Sequence, residues 1–154
     1  MAEPYIIHID RLGDGAIQKI DAILSSEFIG VDEPDLHFCD AVKVCGEVYA
    51  TDEDLVLHLN ASTIAQMSCS VCNRPVPLPL SIKSYYHTEP LSAIKGTVFD
   101  FRAILRECLL IELPKIAECR GNCPERPALA PYLRQPAAPD ITPHYFPFND
   151  LKIP

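Results

Sequence analysis

A chain of 154 residues with 48% hydrophobic content is about one domain's worth and holds enough apolar material for one packed core. Its 21 acidic residues outnumber the 13 basic ones, for a net charge of −8, which disfavours a protein that coats nucleic acid by bulk charge alone. The apolar runs are short and broken by Asp, His or Pro, and the opening MAEPYIIHIDRL lacks the basic start and apolar stretch of a signal peptide, so the expectation is a soluble cytoplasmic protein with no membrane partner.

The segment YIIHIDRL alternates as a strand, and Asp14 then stands where a helix N-cap would, with Ile17, Ile20, Leu24 and Phe28 at helical spacing, so a short amphipathic helix is expected there. IGVDEPD reads as a loop. From Leu36 to Tyr49 the residues Leu36, Phe38, Val42, Val44 and Val48 form one apolar face broken by Asp40, which predicts a half-buried strand. A turn at ATDED leads to a second strand on Leu55, Leu57 and Leu59, antiparallel to the first. After a compact turn over 67–74, Val76, Leu78, Leu80 and Ile82 alternate in a third strand. Pro75, Pro77 and Pro79 fall on alternate residues of it, so their missing amides all face one side and the strand belongs at a sheet edge.

Residues 91–96 read as a loop. Asp100 then caps a helix with Phe101, Ile104, Leu105, Cys108 and Leu109 on one face, which has to stop near Leu113 because Pro114 disfavours helical geometry before it. Nine of the fifteen prolines lie in 114–154, which predicts an extended tail ordered where Tyr132, Leu133, Tyr145, Phe146 and Phe148 dock. The fold class expected is α+β, a single domain dominated by an antiparallel β-sheet, with two short helices (domain 1–125) and a proline-rich C-terminal tail (126–154).

Seven cysteines, an odd number in a chain with no export signal, point to reduced thiols rather than a disulfide framework. Cys69 and Cys72 have two residues between them on a turn, a spacing that lets two thiolates point at one ion. Cys119 and Cys123, with three residues between them, flank Gly121 and precede Pro124, so a second turn offers two more, with 46 residues between the pairs. Four thiolates on two turns suffice for a tetrahedral structural zinc site that would tie the proline-rich segment to the sheet. Two other readings stay open: ordinary free cysteines in a metal-free interaction scaffold, or a thiol redox switch at Cys69 and Cys72, although that pair links two strands instead of starting a helix. Cys108 falls on the apolar helix face, and Cys39 and Cys45 sit in strand pattern, where a thiol packs as a small hydrophobe.

His8, His37, His58, His87 and His144 have no metal-motif spacing, and most fall on polar strand faces. Phosphate loops, a GxSxG elbow and an acid–base carboxylate pair are all missing from the sequence, so a non-enzymatic protein with no small-molecule substrate is the expectation. Charge is uneven: residues 1–68 carry 3 basic and 13 acidic side chains, net −10, and residues 69–154 carry 10 and 8, net +2. Arg74, Lys83, Arg102, Arg106, Lys115, Arg120, Arg126 and Arg134, with Tyr85, Tyr86 and Tyr132, are the candidates for an RNA-contacting patch, against the alternative of a solvated mixed-charge surface.

The order of CSVCNRPV, FDFRAILRECLLIELPKIAEC and CRGNCP after a strand-rich half resembles the YceD family of large ribosomal RNA subunit accumulation proteins over about residues 5–125. The resemblance implies a small cytoplasmic, non-enzymatic protein needed for accumulation or processing of large-subunit ribosomal RNA. Cys69 and Cys72 match the family's first cysteine pair, and Cys119 and Cys123 match the first part of its C-terminal cysteine element. Where many relatives carry further cysteines, Glu125, Arg126 and Pro127 follow here, which leaves either a minimal set of four ligands or the remnant of a lost site. The expected partner is large-subunit ribosomal RNA or a ribosomal protein, the latter because the first half is acidic.

Overall fold

The computed structural model describes residues 3–133. In chain order its elements are β1 (Ile6–His8), β2 (Ile17–Leu24), β3 (Leu36–Phe38), β4 (Val42–Ala50), β5 (Asp54–Ser68), β6 (Pro75–Pro90), β7 (Val98–Asp100) and α1 (Arg102–Ile111), with 3₁₀ turns between them. The fold is α+β and dominated by antiparallel sheet.

Strand β5 organises the molecule. One flank pairs along its whole length with β6; the other pairs with β4 over Leu55 to Ser62 and then with β3 over Ala65 to Met67. β2 completes the sheet outside β4, and β1 and β7 form a separate two-stranded ribbon. Residues alternate in and out as a half-buried sheet requires: Leu55, Leu57, Leu59, Ala61, Thr63 and Ala65 of β5 point into the core. Their partners there include Val44, Val48, Ile20, Phe101 just before α1 and the buried α1 face of Leu105, Cys108 and Leu109. Gly46 is required at its crossing with Leu59, because a Cβ there would strike the His58 carbonyl oxygen.

Two expected features hold in detail. No other described strand pairs with the outer side of β6, and Pro75, Pro77 and Pro79 stand opposite Ser68, Gln66 and Ile64 with their missing amides turned away from β5. Asp100 Oδ1 accepts the Arg102 amide at 2.9 Å at the start of α1, and the helix ends at Ile111, before Pro114.

Several expectations are corrected. Residues 17–24 form strand β2, not a helix. Ile20, Ala22 and Leu24 are buried in alternation, whereas Ile17 and Ile23 lie 60% and 69% exposed on the other face. Asp14 sits at φ 60 in the turn before that strand and caps nothing, and Phe28 belongs to a 3₁₀ turn over Ser26–Ile29. Only Ile6–His8 of the opening segment is strand, followed by 3₁₀ turns over Ile9–Gly15. The strand expected from Leu36 to Tyr49 is broken at residues 39–41, where Thr63 Oγ1 donates towards the carbonyls of Asp40 and Ala41, both at 3.3 Å. Cys39 and Cys45 are exposed, not packed.

The β5–β6 ladder slips by one residue between Leu59↔Tyr85 and Ala61↔Ile82. The extra residue lies in β6, where Ser84 takes φ 51 and donates its amide to Asn60 Oδ1 at 2.9 Å, the geometry of a β-bulge. Tyr132 and Leu133 are exposed, 84% and 55%, so neither docks as expected, and Tyr145, Phe146, Phe148, Arg134 and His144 lie outside the described residues. No helix among the described residues is long and apolar enough to cross a membrane.

Candidate metal centre

The β5–β6 connection is a knuckle. Strand pairing ends at Ser68↔Pro75, and the six residues between close on themselves: the Cys69 amide donates to the Arg74 carbonyl at 2.8 Å and the Asn73 amide to the Cys69 carbonyl at 3.0 Å. Asn73 takes a left-handed φ of 61, which a short polar side chain tolerates. These bonds bring Cys69 and Cys72 to the same side of the turn.

The second pair arrives after α1. Ala117 bridges Cys69 in parallel, so the chain is held against the knuckle before it reaches Cys119. A tight turn follows, with Arg120 at φ 52 and Gly121 at φ 78, the Gly121 amide donating to the Glu118 carbonyl and the Asn122 amide to the Cys119 carbonyl. The Glu118 carboxylate accepts the Cys123 amide at 3.1 Å and pairs with Arg126, and Arg74 of the knuckle pairs with Glu125 at 3.0 Å. The two turns are thus joined by backbone and by charge.

The four sulfurs lie within 4.8 Å of one another, and Cys72 and Cys119 approach to 3.4 Å. Four sulfurs around an ion with bonds of about 2.3 Å form a tetrahedron with edges of about 3.8 Å, so the observed spread brackets that geometry. Cys69 and Cys123 are buried, and Cys72 and Cys119 are half-buried. With Val76 and Ala117 they form a small core separate from the main one, edged by Met67, Val71 and Leu78.

The charge state fits a cation. Backbone amides of Cys72, Val71 and Cys119 favour the thiolate of Cys69 and, against burial, hold that thiol down at about 6. Cys119 is pushed up to about 12, first by the Cys72 thiol and then by burial and the Cys69 sulfur. Cys123 also rises: the Glu125 amide favours its thiolate, but burial and the sulfurs of Cys72 and Cys69 outweigh that. Four sulfurs this close cannot all ionise without a positive charge among them, and a divalent metal removes the conflict.

All four cysteines that the sequence singled out come together. Four of the basic residues have partners within the chain: Arg74 pairs with Glu125, Arg126 with Glu118 and Arg102 with Asp100, while Arg106 donates to the Ile29 carbonyl. Tyr85 packs against the core and Tyr86 faces solvent. One feature missed in the sequence is the parallel stack of His58 on Tyr86, with ring centroids 4.2 Å apart; cross-strand register alone creates it, and no sequence spacing announces it. Comparison with protein-family models, curated proteins and solved structures finds no match.

Proposed function

We propose that this protein is a non-enzymatic, cytoplasmic ribosome-biogenesis factor of the YceD type, which supports accumulation or processing of large-subunit ribosomal RNA by binding that RNA. In this reading Cys69, Cys72, Cys119 and Cys123 hold a structural zinc ion. The observation that carries it is the convergence of four thiols from two turns into one cluster. Four sulfur ligands fill a tetrahedral site and leave no open position for substrate, which is the arrangement of a structural rather than a catalytic zinc. The link to ribosomal RNA rests on the order of the cysteine and helix motifs in the sequence.

Metal analysis by inductively coupled plasma mass spectrometry tests the zinc. About one zinc per chain is expected in protein purified under reducing conditions, and Cys69→Ser and Cys123→Ser are each expected to lose it. Absence of metal from the wild-type protein would overturn the zinc reading and return the cysteines to packing or redox roles. The cellular role is tested by depleting the protein and measuring the ratio of large-subunit to small-subunit ribosomal RNA. A fall is expected; an unchanged ratio overturns the role.

A second reading is favoured by the net charge of −10 over residues 1–68: the partner is a basic ribosomal protein. Pull-down from RNase-treated lysate separates the two, since a partner retained after RNase is held by protein contact.

A further inference from the structure

One face of the main sheet packs against α1, and among the described residues the other faces solvent. Across the open face the register aligns Lys19, Glu47, His58 and Tyr86 in one row and Ile17, Tyr49, Val56 and Thr88 in the next. On the other side of the stack, Asp21, Ile23, Lys43, Cys45, Asn60, Ser62, Ser81 and Lys83 border a shallow concavity of about 670 Å³. Tyr86 is 62% exposed and lies parallel on His58, whose Nε2 is buried and has no hydrogen-bond partner among the described residues.

Charge is mixed on this face. Of the three basic residues in 1–68, Lys19 and Lys43 stand here, and of the thirteen acidic ones Asp21, Glu47 and, by its outward register in β5, Asp54. Lys83 adds a third lysine, so the face is near neutral in a molecule of net −8. An exposed tyrosine already held flat by a stacking partner offers a π-face to an unstacked base, and Lys83 on the same strand, with Lys43 and Lys19 two and three strands away, suits the phosphates beside it. With strands about 4.8 Å apart and same-face residues about 6.8 Å apart, the platform matches two or three nucleotides. A second copy of the chain fits worse, because closing sheet on sheet would strip water from six charged side chains. A basic protein would meet the three lysines.

We infer that the open face of the sheet, with Tyr86 stacked on His58 and flanked by Lys19, Lys43 and Lys83, is a docking platform for single-stranded RNA. This rests on the RNA reading of the function and places the contact away from the cysteine centre.

The test is fluorescence anisotropy of a labelled single-stranded RNA of about a dozen nucleotides, titrated with the full chain under reducing conditions. Tyr86→Ala is expected to weaken binding about ten-fold with an unchanged melting temperature, and Tyr86→Phe, which keeps the ring, to bind as wild type. The Lys43→Ala, Lys83→Ala pair is expected to reduce the salt slope by about 1.4. Failure of the wild-type protein to bind RNA overturns both this platform and the RNA reading. Wild-type binding that all variants retain overturns the platform alone. Equal binding of duplex RNA, whose bases are already stacked, overturns it too, as does a dimer that Tyr86→Ala dissociates in sedimentation.

Discussion

Ser70 donates its amide to the Ala117 carbonyl at 2.8 Å, which fastens the segment after α1 to the knuckle at a point that involves no thiol. Beyond that bond, the bridge at Cys69 and the exposed Arg74–Glu125 pair, the segment owes its place to the cysteine cluster and its small separate core. A chelator, or Cys123→Ser, is therefore expected to loosen residues 114–126 while the main sheet persists. Limited trypsin digestion read by mass spectrometry should show cleavage after Lys115 and Arg120 at least about ten-fold faster, with residues 17–111 still protected. Loss of the whole sheet on chelation would refute this separation.

Asp100 accepts the Arg102 amide and also pairs with the Arg102 side chain, which stacks over the Tyr5 ring at 3.7 Å from its centroid. Burial acts to raise the Asp100 carboxyl, but the Arg102 hydrogen bonds and charge outweigh it, and the pKa is lowered from its ordinary 3.8. A lowered acid contributes stability above its unfolded-state pKa and loses it as pH falls through the folded value, so the relevant window lies below about pH 4. Asp100→Asn is expected to cost about 1 kcal/mol at pH 7 and to flatten the loss of stability below pH 4, checked by urea unfolding at both pH values.

Gly46→Ala places a methyl against the His58 carbonyl in the middle of the β4–β5 ladder. Backbone on both sides has to part, and a loss of about 2 kcal/mol or more is expected in thermal or urea unfolding. A neutral substitution would mean that the two strands cross less closely here.

The prolines of β6 deny hydrogen-bond donors to a neighbouring chain. Pro77→Thr with Pro79→Thr restores two outward amides to an edge strand, and both positions are exposed. The fold should survive, whereas concentration-dependent self-association, absent from the wild type, is expected in sedimentation or light scattering.

What could be read in the sequence divides along physical lines. Local chemistry was legible: the proline spacing marked the edge, Asp100 and Pro114 bounded the helix, and two cysteine pairs on turn-forming residues identified the cluster. Period was ambiguous where apolar residues occupy both faces. Ile17, Ile20 and Leu24 fit a helix only because the exposed Ile17 enters the count, and the choice of strand comes from pairing with Val42 to Tyr49, a partner that local spacing cannot show. The break at residues 39–41 is likewise set by a contact more than twenty residues away, with Thr63. The paired arginines and the His58–Tyr86 stack depend on tertiary placement, so a count of charges and rings in the sequence grouped residues that the fold separates.

The bulge at Ser84 inverts the parity of β6. Up to Ile82 the even-numbered residues Val76, Leu78, Leu80 and Ile82 turn inward; beyond the extra residue the odd-numbered Tyr85, His87 and Glu89 do, and Tyr86 and Thr88 turn out. The slip thus decides which of two adjacent tyrosines lies against Cys108 and which meets the solvent. Pairing carried straight through Ser84 without the slip would exchange them without altering a single side chain, whereas deleting Ser84 would remove the bulge and keep Tyr86 outward, so the character of the open face is encoded in the register of the ladder as much as in the identity of its residues.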